Sequence, residues 1–204
     1  MARWKGAVGG EEDQHRVKRL ALLREAGRAF SRNGFHNTSL DEVAAELDVT
    51  KPALYYYFRN KHEMLYACCE FGLDLGDEAL RRALGEGRCG LEKLRIFMVC
   101  YIADITSEIG SSAVMSEIKS LPPADIDRLR GRQRKLDQQL RRLVQDGIDD
   151  GSIAPCDPAL AVAWTMGAIN HVPRWYRPDG RLTGRQIAEA YVGFLTHGLA
   201  FRPG

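Results

Sequence analysis

The chain has 204 residues, enough for one or two domains with a proper core, and its 45% hydrophobic and 27% charged content is that of an ordinary soluble globular protein. No uninterrupted apolar run is long enough to cross a membrane, so we expect no membrane partner. The net charge of +2 does not by itself indicate a nucleic-acid partner, although residues 1–62 hold 11 Lys and Arg against 8 Asp and Glu.

The five cysteines give no sign of a metal site, because their positions do not match the spacing of metal ligands. Their odd number, with no apolar signal segment at the N-terminus, predicts a protein of the reducing cytoplasm. We find no Gly-rich phosphate loop, no Gly-x-Ser-x-Gly motif and no His/Cys/Glu set at metal-ligand spacing. We therefore expect no enzyme, no catalytic residue, no metal and no cofactor.

The first predicted elements are a tail and a helix. Residues 1–11 are rich in glycine and predict a flexible tail, which either has no function or acts as a basic arm in a DNA minor groove. A helix is predicted from Glu12 to Asn33, and Gly34 is well placed to end it.

The stretch from Gly34 to Lys61 predicts two short helices joined by a tight turn. The first has apolar residues at helical spacing, with Thr38 as its N-cap and Asp41 completing a near capping box. Those apolar residues are Leu40, Val43, Ala44 and Leu47. Thr50 is a second good N-cap, and Pro52 falls in the first turn of the second helix, where its missing N–H costs nothing.

The second short helix has more aromatic surface than burial explains. Leu54 and Phe58 lie one turn apart and face the core, which leaves Tyr56 and its neighbours pointing outward. Hydroxyls, aromatic edges and one lysine suit a phosphate backbone and the floor of a DNA major groove. The arrangement is that of a helix-turn-helix, and the alternative is an ordinary helical hairpin with tyrosines at its surface.

The rest of the chain is predicted to be helical. Asn60 caps a long helix that ends near Leu84, and a Gly-rich loop follows. Further helices are predicted over 91–108, 112–120, 124–150, 158–176 and 183–201. No run alternates with a period of two residues, so the predicted fold class is all-α.

The last two predicted helices are too apolar for ordinary surface helices. Residues 158–172 are apolar nearly all round, with small residues that allow close helix approach, and residues 187–199 have a wide apolar face. A helix buried on most sides needs more neighbours than one domain supplies. We therefore predict a homodimer sealed by the last two helices as a four-helix interface.

The residues from the first helix to Lys61 resemble the DNA-binding domain of the tetracycline-repressor (TetR) family of bacterial transcriptional regulators. The matching residues are Ala26, Phe30, Gly34, Phe35, Thr38, Ser39, Val43, Ala44, Val49, Leu54, Tyr55, Tyr56, Tyr57, Phe58, Asn60 and Lys61. The resemblance implies a three-helix helix-turn-helix DNA-binding domain over 12–62, a helical ligand-binding and dimerisation domain over 63–204, and a homodimer on palindromic double-stranded operator DNA. Two departures, at Tyr57 and Pro52, bear on which bases are read.

The predicted DNA contacts lie on both short helices and at the start of the long one. Those expected to face base edges and backbone are Lys51, Pro52, Ala53, Tyr55 and Tyr56. Those expected mainly to hold phosphates are Thr38, Ser39, Thr50, Tyr57 and Lys61. Members of the family use the lysine that matches Lys61 on a phosphate, and the N-terminus of a helix already favours an anion.

The second domain carries polar and aromatic residues that predict a small-molecule pocket. They are Met98, Tyr101, Ile105, Met115, Trp164, Asn170, His171 and Trp175. The alternative is that they are ordinary core and interface residues, because Met and aromatic residues at helical spacing more often form a core. The resemblance favours the pocket.

The segment 174–183 resembles a branch of the family that controls fatty-acid, steroid and aromatic-acid breakdown and often responds to acyl-CoA thioesters. An acyl tail would suit an apolar cavity, and arginines at its mouth would suit phosphates. The competing effector class is a lipophilic cation, for which Asp104 and Glu108 would supply carboxylates.

The sequence therefore predicts a cytoplasmic, homodimeric, DNA-binding repressor that a ligand releases from its operator, with an acyl-CoA thioester as the favoured ligand. In this mechanism the ligand stabilises a state whose two DNA-binding domains are spaced wrongly for the operator. The alternatives are a repressor that responds to lipophilic cations and a helical dimeric adaptor that does not bind DNA.

Overall fold

The computed structural model of the protein describes residues 10–107 and 113–199. Over these residues the chain forms eight α-helices and one 3₁₀ helix, without a strand, which confirms the predicted all-α fold. The α-helices are α1 (Glu11–Asn33), α2 (Leu40–Glu46), α3 (Lys51–Tyr57), α4 (Lys61–Glu86), α5 (Gly90–Ser107), α6 (Pro123–Asp149), α7 (Pro158–Trp175) and α8 (Gly184–Leu199), and the 3₁₀ helix is Ala113–Ser120. Nearly all of the predicted tail lies outside the described residues. None of the described helices has the length and apolar character needed to span a membrane.

The N-cap of α2 is Ser39, so the prediction of Thr38 as the cap is wrong. The Ser39 hydroxyl accepts a hydrogen bond from the Glu42 amide at 3.1 Å, and the Glu42 carboxylate accepts one from the Ser39 amide at 2.8 Å. These two bonds form a complete capping box. Thr38 is buried instead, and its hydroxyl lies 2.9 Å from the Gly34 carbonyl and 3.2 Å from that of Ala29. Thr38 therefore ties the turn to the end of α1.

The start of α3 follows the prediction. Thr50 accepts a hydrogen bond from the Ala53 amide at 3.4 Å, and Pro52 lies in the first turn. The turn before it holds Asp48 at a φ of 54°, the left-handed region that short polar residues tolerate better than branched ones. Capping and turn chemistry thus fix where α3 begins.

The described residues form two compact units. The first takes in the described parts of Met1–Phe71 and Ile109–Ile126, and the second those of Gly72–Glu108 and Asp127–Gly204. In the first unit the 3₁₀ helix contacts α1, although it follows α5 in the chain. The domain boundary at residues 62 and 63 stays a prediction.

In the second unit, α5 contacts both α7 and α8. The core of this unit includes Phe97, Met98, Ile102, Ile105, Leu140, Leu143, Ile169, Ile187 and Leu195, all almost completely buried. Gly184 lets α8 approach α5, because a Cβ there would lie 1.9 Å from the Thr106 hydroxyl. A side chain at position 184 would therefore have to displace Thr106.

The N-terminus of α5 is anchored by the loop that follows α6. The Gly90 amide donates to the Asp150 carboxylate at 2.7 Å, and the Leu91 amide donates to the Ser152 hydroxyl at 3.0 Å. Hydrogen bonds from Ser152 and from the Gly90 amide lower the pKa of Asp150. A Cβ on Gly90 would lie 2.2 Å from the Cα of Gly147 on α6, so the backbones touch here. The long-range cap and the glycine contact fix the position of α5 within the unit.

Candidate nucleic-acid interface and associated sites

Helix α3 presents most of its surface to solvent. Its only buried residue is Leu54, and Phe58 continues the buried side just after the helix ends. The exposed residues are Lys51, Pro52, Ala53, Tyr55 and Tyr56, with Tyr57 half-buried. Tyr56 has 73% of its surface exposed, so it contributes little to the core. The helix can therefore offer these side chains to a partner without disturbing the fold.

An imidazole from α1 joins the tyrosines of α3. The ring centroid of His15 lies 4.6 Å from that of Tyr57 and 5.7 Å from that of Tyr56, while the two tyrosine rings meet edge to face at 5.2 Å. Burial, and then the neighbouring Tyr56, raises the pKa of Tyr57, so its hydroxyl remains a neutral hydrogen-bond donor at pH 7. Sequence reasoning missed His15, because the contact joins two separate helices and leaves no local pattern.

Two predicted phosphate contacts, Ser39 and Thr50, are also helix caps. Each hydroxyl uses its oxygen to accept a backbone N–H, from Glu42 and Ala53 respectively. The hydroxyl proton remains available to donate to a phosphate oxygen, and both residues are exposed. Thr38 differs, because it is buried and its hydroxyl lies against two backbone carbonyls.

Lys51 is exposed but already has an anionic partner. Its ammonium lies 2.9 Å from the carboxylate of Asp41 on α2, and this hydrogen bond together with the negative charge raises the pKa of Lys51. The lysine is therefore a full cation. A phosphate oxygen that binds it must compete with Asp41 in an exposed site, where an ion pair is weak.

Lys61 lies at the first residue of α4 and is half-buried. Its ammonium is 4.2 Å from the centroid of the Phe35 ring and 3.4 Å from the His36 carbonyl, to which it donates. Burial lowers the pKa of Lys61. Asn60 accepts a hydrogen bond from the Glu63 amide at 2.9 Å, which confirms Asn60 as the cap of α4. Lys61 thus combines a fixed side chain with the positive end of a helix.

The predicted pocket residues fall into three groups. Met98, Tyr101 and Ile105 lie on α5 in the core of the second unit, where burial raises the pKa of Tyr101 to about 12. Trp164, Asn170, His171 and Trp175 lie exposed on α7. Met115 is half-buried on the 3₁₀ helix, which belongs to the first unit. The structure therefore separates the buried α5 residues from the exposed α7 residues, and their role as one pocket stays a prediction.

A groove of about 350 Å³ opens on the second unit among residues of α4 and α6. It is lined by Asp77, Leu80, Arg81, Leu84, Arg132, Lys135 and Gln139. Arg132 donates to Asp74 and Asp77 across the two helices, and Arg81 pairs with Glu78. Two of its cations are thus neutralised within the chain. In the part of the chain that the structure describes, no group of three or more His, Cys, Asp or Glu is placed to hold a metal ion.

The last two helices leave large apolar side chains uncovered. Leu160 and Trp164 on α7 are 69% and 51% exposed, and Phe194 on α8 is 65% exposed. Gly167 and Gly193 have open space where a Cβ would be, with no atom of other parts of the chain within 4 Å. Exposed apolar side chains beside small residues are typical of helices that pack against another copy.

Two family models match this chain and together span most of it. Residues 22–68 match the model described as "Bacterial regulatory proteins, tetR family", and residues 88–199 match that of the "Tetracyclin repressor-like, C-terminal domain". The chain is 25% identical over 187 residues to the HTH-type transcriptional repressor KstR2 of Mycolicibacterium smegmatis, covering 89% of this chain and 90% of the relative.

Solved structures show the same fold. The TetR-family regulator PfmR from Thermus thermophilus superposes with a TM-score of 0.78 at 29% identity, covering 86% of this chain and 97% of that one. AibR in complex with isovaleryl coenzyme A and operator DNA superposes with a TM-score of 0.71 at 29% identity, with the same coverage of 86% and 97%.

Proposed function

The chain belongs to the tetracycline-repressor family of DNA-binding transcriptional regulators, which are not enzymes, and from this premise we propose that it is a homodimeric repressor released from operator DNA by a small-molecule effector. The regulator would act in the cytoplasm, where the DNA is. We further propose an acyl-CoA thioester as the effector.

The observation that carries the DNA-binding part is the composition of the exposed side of α3. This side offers the ammonium of Lys51 and the rings and hydroxyls of Tyr55 and Tyr56, while Leu54 is the one residue of the helix that is buried. Tyrosine and lysine side chains reach base edges and phosphates in a major groove. Around this helix, Ser39, Thr50, Tyr57 and Lys61 supply donors for phosphate oxygens; buried Thr38 holds the turn in place. The helix-turn-helix therefore reads bases with α3 and fixes its position through the flanking donors.

The exposed apolar surfaces of α7 and α8 support the homodimer. Leu160, Trp164 and Phe194 would bury apolar area against the partner, and Gly167 and Gly193 would let the helix backbones approach. Two-fold symmetry would place the two copies of α3 in successive major grooves of a palindromic site.

Two observations support an acyl-CoA effector. The first is the arginines of the loop between α7 and α8, which include Arg177 and Arg181 and are exposed; guanidinium groups are well suited to the phosphates of a coenzyme A moiety. The second is the likeness to AibR, whose structure holds isovaleryl coenzyme A. An acyl tail would enter the apolar interior near Met98 and Ile105 once the side chains there rearrange.

The experiment is fluorescence anisotropy of the purified protein on labelled DNA from the region upstream of its own gene, repeated with a panel of CoA thioesters of different acyl groups. Free coenzyme A and a lipophilic cation such as a quaternary ammonium dye serve as matched controls. Tight binding that one thioester reverses, and that free coenzyme A does not, is the expected result.

Other outcomes would correct specific parts of the proposal. Release of DNA by the cation and not by any thioester would replace the effector class. Tight binding that no compound reverses would refute release by either class. A folded dimer that binds neither this DNA nor random palindromic DNA would refute the repressor and favour the adaptor.

A further inference from the structure

A carboxylate from a distant part of the chain holds the turn between α1 and α2. Glu117 lies on the 3₁₀ helix Ala113–Ser120, and its Oε2 accepts a hydrogen bond from the Phe35 amide at 3.1 Å across 82 residues of sequence. The 3₁₀ helix contacts α1 within the first compact unit. Glu117, which lies outside the helix-turn-helix sequence, is therefore hydrogen-bonded to the backbone of the turn between α1 and α2.

The Phe35 amide lies at a point where α1 can no longer satisfy it. Gly34 ends α1 with a φ of +80°, and its own amide donates back to the Phe30 carbonyl at 3.0 Å. The chain then turns away from the helix axis, so the next amide needs a partner from elsewhere. Glu117 supplies that partner, and a carboxylate acceptor makes the bond stronger than a neutral one would be.

Phe35 in turn fixes the side chain of Lys61. The Phe35 ring is buried, and the Lys61 ammonium lies over it at 4.2 Å from the centroid. The other contact of this ammonium is the carbonyl of His36, the next residue in the same turn. Both groups that orient Lys61 thus belong to the backbone segment that Glu117 anchors.

The same carboxylate also acts electrostatically on a residue of α4. Burial, and then the negative charge of Glu117, raises the pKa of the Cys69 thiol to about 12. The charge of Glu117 thus acts on a residue of α4, while its hydrogen bond holds the turn after α1.

We propose that Glu117 is a positioning residue for DNA binding, which acts through Phe35 to hold Lys61 in place for a phosphate. This role rests on the proposed phosphate contact of Lys61. The 3₁₀ helix lies between α5 and α6 in the chain. Under this proposal, a segment covalently linked to the second unit therefore influences one DNA contact by a route other than α4.

The test is a double-mutant cycle between Glu117→Ala and Lys61→Met, with Glu117→Gln and Ser116→Ala as matched controls. Methionine removes the charge of Lys61 and keeps an unbranched side chain over the Phe35 ring. Glutamine keeps a carbonyl oxygen that can accept the Phe35 amide. Ser116 is exposed on the same 3₁₀ helix, so its variant reports any general effect of changing that helix.

The readouts are the dissociation constant for DNA, its salt dependence and the helical circular dichroism signal. Glu117→Ala is expected to weaken binding about tenfold and to reduce the salt slope as much as Lys61→Met does, by about 0.9 for each protomer. In the Lys61→Met background it should weaken binding less than about twofold, because the contact is already lost. Glu117→Gln should restore most of the affinity, and Ser116→Ala should match the wild type.

Four results would overturn this role. Wild-type affinity and slope in Glu117→Ala would show that the bond does not position Lys61. A full additional loss in the Lys61→Met background, or loss of helical signal in Glu117→Ala, would make Glu117 a structural residue. Failure of the wild-type protein itself to bind any DNA would refute the proposed function, and this role with it.

Discussion

Replacing Tyr56 by alanine should abolish most of the DNA affinity and leave the fold intact. Tyr56 is 73% exposed on α3, and its ring meets those of Tyr57 and His15 edge to face. Truncation therefore removes no core packing. The expected loss in free energy of unfolding is below about 1 kcal/mol, the range of an exposed aromatic contact.

The effect on DNA binding should be much larger because a dimer presents the side chain twice. A direct contact to a base edge contributes about 1–3 kcal/mol of discrimination, so losing two of them weakens binding by at least about 2 kcal/mol, or about 30-fold. The salt slope should not change, since tyrosine carries no charge that replaces a counterion. Lys61→Met, by contrast, should lower the slope.

The assay combines fluorescence anisotropy at several salt concentrations with thermal unfolding followed by circular dichroism. Leu54→Ala is the matched control on the same helix, because Leu54 is completely buried and its truncation should cost about 2–5 kcal/mol of stability. A Tyr56→Ala protein with wild-type affinity would refute the reasoning, as would one whose unfolding curve resembles that of Leu54→Ala.

Three further predictions concern the second unit. Gly90→Ala should lower the free energy of unfolding by about 2 kcal/mol or more in urea denaturation, because its Cβ would strike the backbone of α6. The control Gly131→Ala has open space around its Cβ on α6 and should raise the free energy of unfolding by about 0.5–1 kcal/mol. Equal effects of the two substitutions would contradict the close contact at Gly90. The lowered pKa of Asp150 means that its carboxylate stabilises the fold above the unfolded-state pKa and that this contribution disappears as the pH falls through the folded-state pKa. Thermal unfolding between about pH 6 and pH 3 should therefore show a smaller loss of stability in Asp150→Asn than in the wild type, and parallel pH profiles would be evidence against the cap. Phe194→Asp should convert the dimer to a folded monomer in sedimentation velocity, since Phe194 is 65% exposed in the single chain; an unchanged dimer would place the interface elsewhere.

Local signals in the sequence predicted the elements that depend on neighbouring residues. Thr50 and Pro52 identified the start of α3, Gly34 the end of α1, and Asn60 the cap of α4. At the start of α2 the sequence itself favours Ser39 over Thr38, because Ser39 and Glu42 have the Ser-x-x-Glu spacing of a complete capping box, whereas Thr38 has only Asp41 at that distance.

Contacts between distant segments were beyond the reach of local patterns. The 3₁₀ helix was predicted only as another helix, and nothing in its sequence indicates that Glu117 bonds to Phe35 or that this segment joins the first unit. The packing of His15 against Tyr57 likewise depends on the angle between two helices. Periodicity showed that α7 is apolar, but only the structure separates buried Ile169 from exposed Trp164.

The central claim is that this chain is a dimer that binds DNA through charged and polar groups around α3. The most direct test is the salt dependence of wild-type binding to a single operator. Lys51 and Lys61 from each protomer give four charged contacts, which predict a slope of log K against log salt of about −3.6 and about a 150-fold loss of affinity between about 50 and 200 mM salt. That slope, at a stoichiometry of two protomers per site, is the expected result. A slope near zero, or a site saturated by one protomer, would contradict the account.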